Sequence, residues 1–444
     1  MADAHAPEKD VAAPSATPAA RHGRLPARSA AVEVLRITGT ALVVLLVSAT
    51  AVAGFAIWSV TSGLGPGVSL PNDTAGPVPE IGAIDGGVNL LLVGSDSGQG
   101  DPAYGARGEN LNDVTMLLHI AHDHSSATVV SFPRDMLVEI PACPASADGT
   151  AVGTQGGFSD KINTTLSYGG LACTVTAVQN LTGLTIPFAG KIEFNGVIEM
   201  SNAVGGVPVC VADRIDDAYT GLVLEPGTHM LQGTQALQFL RTRHALVSGS
   251  DLARIGNQQA FLASLARTIK SDGTLNDPIK LYGIAKAAAD NMVLSTSLQK
   301  LDAMVSIALA LKDIDLAKVN FVQYPVTEVY GDIEPLTADA TTLFTALAND
   351  LPITLSGTLG QANLVAPAAP ATAAATAPAT VPTPGAAVAP DVIAAPGATN
   401  PTSAPPTTTP SPSTAPGPPT PVPVQLPPSI SGQSAAEATC TVGQ

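Results

Sequence analysis

Val88-Asn89-Leu90-Leu91-Leu92-Val93-Gly94-Ser95-Asp96 is a mostly apolar run that ends in a glycine, a serine and an aspartate. A short run of this kind is typical of a strand that is buried on both faces of a sheet. Residues 114–121 and 127–132 have the same character, and turn-forming residues separate them. We therefore predict three consecutive strands, of which the second and third form a hairpin.

The ends of these strands carry charged residues. Asp113 precedes the second strand and Arg134 follows the third, so a hairpin brings them to the same end. If the first strand pairs antiparallel to the second, Asp96 joins them there. Two carboxylates on adjacent loops can hold Mg²⁺ beside a phosphate group. The alternative is that Asp96 and Asp113 only cap turns.

A second charged stretch follows later in the chain. Three arginines and one aspartate fall within residues 241–254, although the chain is poor in charge. Asp251 can cap a helix on which Asp251, Arg254 and Gln258 share one face. Arg241 and Arg243 lie two residues apart, so in an extended chain they would point the same way. Converging guanidinium groups suit phosphate oxygens, and surface salt bridges are the alternative.

Composition and charge limit the class of partner. The chain has 444 residues, 45% of them hydrophobic, and a net charge of −16. That length and that apolar content allow one large folded domain or two ordinary ones. An acidic surface repels nucleic acid, so we expect no nucleic-acid partner and interpret the arginine cluster as a small anion-binding pocket.

The amino-terminal region has the pattern of a membrane anchor. Residues 1–36 are polar and contain several arginines, and we predict a disordered cytoplasmic arm. Residues 37–60 carry no charge and are long enough to cross a bilayer as a helix. Because the basic residues precede the helix, the amino terminus is expected in the cytoplasm and the remainder outside. A cleaved signal peptide is the competing interpretation.

The rest of the chain divides by composition. Residues 61–87 are rich in glycine and proline and are predicted to be a tether. Residues 88–356 alternate between helix and strand patterns, which predicts an α/β domain. Residues 357–444 are rich in alanine, proline and threonine, and from residue 364 onwards contain no lysine or arginine. We expect this tail to be disordered.

The cysteine pattern argues against a zinc site. The cysteines are Cys143, Cys173, Cys210 and Cys440, and no two have the C-x-x-C spacing. In an exported domain, Cys143 and Cys173 are the pair that we expect to form a disulfide. Cys210 is either simply buried in an apolar run or paired with Cys440, and the latter requires the tail to fold back.

Seven stretches in order along residues 88–270 resemble the LytR-CpsA-Psr family of cell-envelope phosphotransferases. They are residues 89–96, Asp113-Val114-Thr115-Met116-Leu117-Leu118-His119-Ile120, Ser131-Phe132-Pro133-Arg134-Asp135, Lys161-Ile162-Asn163, Ala203-Val204-Gly205-Gly206-Val207, Leu240-Arg241-Thr242-Arg243-His244 and residues 251–261. The resemblance implies a central mixed or antiparallel sheet flanked by helices, with a hydrophobic tunnel for a polyprenyl chain. It also implies a single-pass membrane protein whose catalytic domain lies outside the membrane.

The activity implied by the resemblance is the transfer of an anionic glycopolymer from a polyprenyl-pyrophosphate carrier to peptidoglycan, which forms a phosphodiester. The polymer would be arabinogalactan, or a teichoic-type chain. Two other functions remain open at this point. One is a polyprenyl-pyrophosphate hydrolase that uses water as the acceptor, and the other is a non-catalytic scaffold or sensor that binds anionic lipid.

The resemblance also implies roles for individual residues. Asp96 and Asp113 would serve Mg²⁺ (or Mn²⁺), and Asp251 would orient the arginines or the acceptor together with Gln258. Asp96 and Asp251 are the residues considered as the proton acceptor. The pyrophosphate would be bound by Gln258 and by a basic set consisting of Arg134, Lys161, Arg241, Arg243 and Arg254.

The chain departs from the family pattern at two positions. Leu111 stands where the family usually has an arginine, and Arg107 is the nearest replacement. Asn257 stands where a further arginine is common. Both departures predict weaker binding of a pyrophosphate.

Overall fold

The computed structural model describes residues 29–71, 87–96, 110–271, 274, 277–366 and 422–444. The described residues divide into two compact units, with the boundary between Trp58 and Ser59. In the described part of the chain, helix α1 (Ala30–Thr61) alone is long and apolar enough to cross a membrane. Its 32 residues correspond to about 48 Å, against about 30 Å for the hydrocarbon core of a bilayer. The helix begins before the predicted start at residue 37 and includes Arg36.

A seven-stranded mixed sheet is the centre of the second unit. In spatial order its strands are β11 (Met292–Leu294), β6 (Phe188–Ile192), β1 (Val88–Ser95), β2 (Asn112–Ile120), β3 (Ala127–Phe132), β12 (Val319–Gln323) and β18 (Gly432–Ser434). Strand β2 pairs antiparallel with both β1 and β3, which confirms the predicted arrangement of the first three strands.

The helices of this unit and its shorter strands complete the fold. The helices are α2 (Thr165–Thr182), α3 (Phe194–Val204), α4 (Thr234–Arg241), α5 (Asp251–Ser271), α6 (Pro278–Asn291), α7 (Leu301–Asp313) and α8 (Thr337–Ala348). Four two-stranded pairings lie outside the larger sheets, between β4 (Leu137–Ile140) and β5 (Phe158–Lys161), β8 (Ile215–Asp217) and β9 (Leu222–Leu224), β13 (Val326–Val329) and β14 (Asp332–Pro335), and β15 (Ile353–Thr354) and β17 (Val424–Gln425).

Strand β1 is buried on both sides because alternate residues enter two different cores. Leu91 and Val93 pack with residues of α2 and α8 on one face of the sheet. Val88 and Leu90 pack with residues of α7 on the other face. The apolar run that predicts this strand therefore reflects a sheet covered by helices on both faces, as in the fold class predicted from the sequence.

A smaller four-stranded sheet packs against α4 and α5. Its order is β10 (Gly227–Leu231), β7 (Val207–Val211), β19 (Thr439–Thr441) and β16 (Asn363–Val365). A separate core of buried residues joins β7 to α4 and α5, and includes Val209, Phe239 and Phe261. This sheet therefore holds the two helices that carry the second charged stretch.

The prediction of a disordered tail over residues 357–444 is wrong for two parts of it. Residues 357–366 include β16, and residues 422–444, here called the return segment, contribute β17, β18 and β19. Leu426 and Ile430 of the return segment are 1% and 0% exposed. The average composition of the tail conceals these few apolar residues, which suffice because they complete cores that the domain already contains. Residues 367–421 lie outside the described part.

Two disulfides are present. Cys143 is bonded to Cys173, as predicted. Cys210 is bonded to Cys440, so the alternative that required the tail to fold back is the correct one. Strands β7 and β19 run parallel with these two cysteines opposite each other, which places their side chains within bonding reach.

The return segment should contribute core stability. We expect Leu426→Ala to lower the free energy of unfolding by about 2–4 kcal/mol, because it leaves a cavity beside Ile430 and the other residues of this core. Urea-induced unfolding followed by circular dichroism measures the change.

Leu364→Ala is the matched control because Leu364 is 53% exposed on the neighbouring β16. It should change the free energy of unfolding by less than about 0.5 kcal/mol. Equal and small effects of the two substitutions would show that the return segment does not pack as described.

Candidate functional site

An apolar cavity of about 360 Å³ lies between β1, β2 and helices α3 to α6. Leu92, Met116, Val204 and Leu262 are among its lining residues. The lining also includes a smaller number of polar side chains, which are Ser95, Asp113, Glu193, Ser201, Arg241, Arg254 and Gln258. The cavity therefore offers an apolar volume in contact with a charged patch.

Asp113 reaches this cavity from a β-bulge. Gly94 lies opposite Val114, and the next residue, Ser95, lies opposite Asn112. Asp113 is thus the extra residue between two register positions. A bulge redirects a side chain out of the regular alternation of its strand. The carboxylate is only partly buried and contacts both Arg134 and Arg254.

Arg134 lies among three carboxylates at the end of β3. Its Nη1 donates to Asp113 Oδ1 at 2.5 Å, and its Nε lies 3.4 Å from Asp251 Oδ1 and 3.5 Å from Asp135 Oδ2. Burial alone would lower the pKa of Arg134, but the surrounding carboxylates, with Asp113 first, outweigh burial and raise it. The predicted meeting of Asp113 and Arg134 at one end of the sheet is confirmed.

Arg254 connects this cluster to helix α5. Its Nη2 lies 2.6 Å from Asp251 Oδ1 and donates to the backbone oxygen of Asp113 at 2.8 Å. Arg254 Nε and Asp251 Oδ2 are buried, and neither has a hydrogen-bond partner among the residues described. The shared helix face of Asp251, Arg254 and Gln258 is thus present. The cap, however, is Ser250, whose Oγ accepts from the backbone N–H of Ala253.

Lys161 approaches the cluster from β5 through a residue that the sequence analysis missed. Its Nζ lies 3.1 Å from Asp135 Oδ1, and Asp135 also contacts Arg134. Burial would raise the pKa of Asp135, but the hydrogen bond from Lys161 and the nearby charges of Arg134 and Lys161 outweigh burial and lower the pKa. Asp135 directly follows Arg134 in the chain, and that adjacency was the available signal.

Arg241 and Arg243, the first two of the three arginines in the second charged stretch, lie in different surroundings. Arg241 lines the cavity, and its guanidinium carbon lies 4.2 Å from the centre of the Phe194 ring. Arg243 is not among the lining residues. Its Nη2 lies 3.2 Å from His244 Nε2, and its backbone N–H donates to Asp217 Oδ2. The extended-chain prediction is wrong here because Arg241 is the last residue of α4, so the two side chains do not leave one straight strand.

Gln258 and Glu193 complete the polar lining. Gln258 Nε2 donates to the backbone oxygen of Leu240 at 3.0 Å, which links α5 to the residue before Arg241. Glu193 forms a buried ion pair with Lys191 at 3.1 Å. No sequence pattern distinguished Glu193 as a lining residue.

Asp96 lies at the predicted end of the sheet but acts there as a cap. It is 4% exposed, and its Oδ1 accepts from the backbone N–H of Leu111 at 3.2 Å. It is absent from the cavity lining. Within the described residues, no group of three or more His, Cys, Asp or Glu side chains is placed to hold a metal ion. Arg107, the suggested replacement for the missing arginine, lies outside the described residues.

Comparison with known proteins identifies the family. The model of the LytR_cpsA_psr family matches residues 71–349. The chain belongs to this family. The region beyond residue 349, including the return segment, is outside the match.

Individual relatives agree with this assignment. The cell wall biosynthesis protein LcpA of Corynebacterium glutamicum is 32% identical over 273 residues, which are 56% of this chain and 52% of LcpA. TagT of Bacillus subtilis, named as a polyisoprenyl-teichoic acid–peptidoglycan teichoic acid transferase, is 26% identical over 250 residues, or 54% of this chain and 70% of TagT. The chain spans about half the length of the Corynebacterium relatives that it matches.

Among solved structures, a LytR-Csp2A-Psr enzyme from Actinomyces oris is similar. Its TM-score is 0.49 at 20% identity, and the match covers 64% of this chain and 95% of that one.

The contact between Lys161 and Asp135 gives a prediction about acid stability. A carboxyl group whose pKa is lowered by folding adds stability above its unfolded pKa of about 3.9, and that stability is lost as the pH falls through the folded pKa. We expect Lys161→Met to be less stable than the native protein at pH 7, by up to about 1 kcal/mol for this half-exposed pair. The difference should close as the pH falls below about 4.

Chemical denaturation at a series of pH values measures this difference. Lys312→Met, which removes an exposed lysine from α7, is the control and should show no such closing. If Lys161→Met lowers stability equally at pH 3 and pH 7, the ion pair between Lys161 and Asp135 does not contribute to stability as predicted.

Proposed function

We propose that this protein transfers an anionic glycopolymer from a polyprenyl-pyrophosphate carrier to peptidoglycan and forms a phosphodiester. The observation that carries the proposal is the direct contact between an apolar cavity of about 360 Å³ and a charged patch formed by Asp113, Arg241 and Arg254. A lipid with a diphosphate headgroup has the same division into an apolar chain and a charged group.

The charges of the site suit a diphosphate. Arg241 and Arg254 line the cavity, and Arg134 is linked to Arg254 through Asp113 and Asp251. Guanidinium groups bind phosphate oxygens in pairs. The buried Nε of Arg254 is a donor without a partner in the described structure, and an anion would satisfy it. We propose that Lys161 and Arg243 contribute positive charge from outside the cavity.

The donor atoms present fit a divalent cation that is completed by the substrate. Mg²⁺ prefers oxygen ligands and is commonly held by one or two carboxylates together with phosphates and water. Asp113 lines the cavity, Asp96 lies at the same end of the sheet, and the buried Oδ2 of Asp251 has no hydrogen-bond partner among the residues described. We propose that Asp96 and Asp113 would hold Mg²⁺ or Mn²⁺, which would neutralise charge on the diphosphate.

The proposed reaction breaks one phosphorus–oxygen bond and forms another. A hydroxyl oxygen of peptidoglycan attacks the phosphorus atom that carries the glycopolymer, and polyprenyl phosphate leaves. Arg134, Arg241 and Arg254 stabilise the negative charge that develops on the leaving phosphate. Asp96 or Asp251 accepts the hydroxyl proton. The diphosphate bond supplies the free energy, so the reaction requires no nucleoside triphosphate.

The proposed location follows from the anchor and the acceptor. Peptidoglycan lies outside the membrane, so the domain must be there, with α1 in the membrane and the amino terminus in the cytoplasm. The polymer would be arabinogalactan or a teichoic-type chain. The names of LcpA and TagT support cell-wall assembly as the process.

Transfer should depend on both the acid and the arginine of the patch. We expect Asp113→Asn and Arg241→Ala each to lower the rate of transfer about 100-fold or more. The first removes a carboxylate that would hold the divalent cation, and the second removes a guanidinium that would stabilise charge on the diphosphate. The assay supplies the full-length protein in detergent with a polyprenyl-pyrophosphate glycan, peptidoglycan fragments and Mg²⁺. Mass spectrometry detects the linked product.

Asp216→Asn is the control because Asp216 is an exposed aspartate that pairs with the exposed Arg214, and it should transfer at the native rate. Release of phosphorylated glycan without peptidoglycan would favour a hydrolase. Lipid binding with no product, or full function of Asp113→Asn, would favour a scaffold or sensor.

The cavity should limit the length of the lipid chain. We expect Val197→Trp, which places an indole in the cavity from α3, to weaken binding of an undecaprenyl lipid about tenfold, since it displaces buried apolar surface of the chain. A farnesyl lipid with the same headgroup needs less of the cavity and should lose less affinity. Titration calorimetry in detergent compares the two.

Val223→Trp, at a position that is 51% exposed on β9, is the control and should leave both affinities unchanged. If Val197→Trp binds both lipids as the native protein does, the chain does not occupy this cavity.

A further inference from the structure

Strand β19 of the return segment makes a buried side-chain contact with helix α5. Thr441 Oγ1 donates to Asn257 Oδ1 at 2.8 Å, and both residues are 0% exposed. The contact joins residues that are 184 positions apart in the chain. Because Thr441 donates to the oxygen of the amide, it fixes the orientation of that amide, with the Asn257 NH₂ group facing the opposite way.

The other end of the same amide holds helix α4. Asn257 Nδ2 donates to the backbone oxygen of Phe239 at 2.6 Å, and Gln258 Nε2 donates to that of Leu240 at 3.0 Å. The last carbonyl groups of a helix lack partners within its regular hydrogen-bond pattern, and these two amides bind two of them. The Thr242 backbone N–H also donates to Phe239 O, at 3.3 Å. The next residue is Arg241, which lines the cavity. Thr441, Asn257 and Phe239 therefore form a hydrogen-bonded path to the last turn of α4, two residues before Arg241.

Additional contacts keep the return segment in place against the same elements. Arg267 Nη1 of α5 donates to the backbone oxygens of Ala435 and Glu437, each at 2.8 Å. The Gln444 backbone N–H donates to Ala245 O, within the connection between α4 and α5. The return segment is thus fixed at several points. Thr441 is the residue of β19 whose side chain contacts the Asn257 amide, which in turn binds α4.

We propose that Thr441 is a positioning residue for the diphosphate site, acting through Asn257 on the end of α4 and on Arg241. The inference rests on the proposed function, since it assumes that Arg241 binds a diphosphate. Without the Thr441 hydroxyl, the Asn257 oxygen has no buried donor and the amide is free to turn. The Phe239 carbonyl then loses its side-chain donor and keeps only the Thr242 backbone N–H, at 3.3 Å. The end of α4 that carries Arg241 is therefore held less firmly.

The test separates binding of the headgroup from binding of the chain. The full-length protein in detergent is titrated with farnesyl diphosphate and with farnesol, and the ratio of the two affinities is measured. We expect Thr441→Val to lower the affinity for farnesyl diphosphate relative to that for farnesol about fivefold to tenfold. This is the size of effect expected when the loss of one hydrogen bond shifts a charged group that contacts the ligand. Affinity for farnesol should remain within about twofold, because the apolar lining is untouched.

Thr439→Val is a matched control in the same strand. Thr439 is also buried, but its hydroxyl has no hydrogen-bond partner among the described residues. Its ratio should equal that of the native protein. Thr441→Ser keeps a hydroxyl and should restore the native ratio. If Thr441→Val does not fold, Thr441→Ala, which leaves room for water, allows the same comparison, and thermal unfolding verifies each variant.

Each outcome of the titrations decides between the two claims. An unchanged ratio in Thr441→Val, or an equal loss of affinity for both ligands, would overturn the positioning role and leave the proposed function intact. A native protein that binds farnesol as tightly as farnesyl diphosphate would overturn the proposed function, and the positioning role with it.

Discussion

The site depends on the ion pairs that the Asp113 carboxylate forms with two guanidinium groups. The bulge in β2 turns this side chain toward the cavity, and Arg134 and Arg254 approach it from β3 and α5. The whole network has three negative and three positive side chains. The carboxylates are Asp113, Asp135 and Asp251, and the cations are Arg134, Arg254 and Lys161. Such a network keeps the arginines close together without a ligand, which their mutual repulsion would otherwise oppose.

Stability alone does not account for this network. Removing charges from water costs free energy that the ion pairs only partly recover, and well-packed apolar residues would often serve a fold better. The network also lies beside a large apolar cavity, where the fold has left space unfilled. Both features are costs to the folded state. A function that requires charge next to an apolar volume explains why both occur at the same place.

The sequence predicts the site best where a short segment of chain determines the geometry. The hairpin of β2 and β3 brings Asp113 and Arg134 together through local pairing, and the helical repeat places Asp251, Arg254 and Gln258 on one face. The shared direction of Arg241 and Arg243 was predicted wrongly because it depends on where α4 ends, and helix ends are only approximately predictable. Asp96 was identified at the correct end of the sheet, but its hydrogen bond to Leu111 depends on the exact register.

The return segment was beyond prediction for a different reason. Strand β19 has three residues and pairs in parallel with β7 across more than two hundred residues of chain. A three-residue strand has no measurable periodicity, and parallel pairing over such a separation leaves no local signal. The single clue was Cys440, an isolated cysteine in a tail of small and polar residues.

Contacts with β19 give a structural reason for the asparagine at position 257, where the family resemblance leads us to expect an arginine. An arginine at this fully buried position would have to bury a guanidinium and would lack the amide oxygen that accepts the Thr441 hydroxyl. It would also remove the side-chain amide that donates to the Phe239 carbonyl at the end of α4. The missing arginine is therefore not simply a lost contact for phosphate. Asn257 is instead a polar link between the return segment and α4, the helix that ends in Arg241.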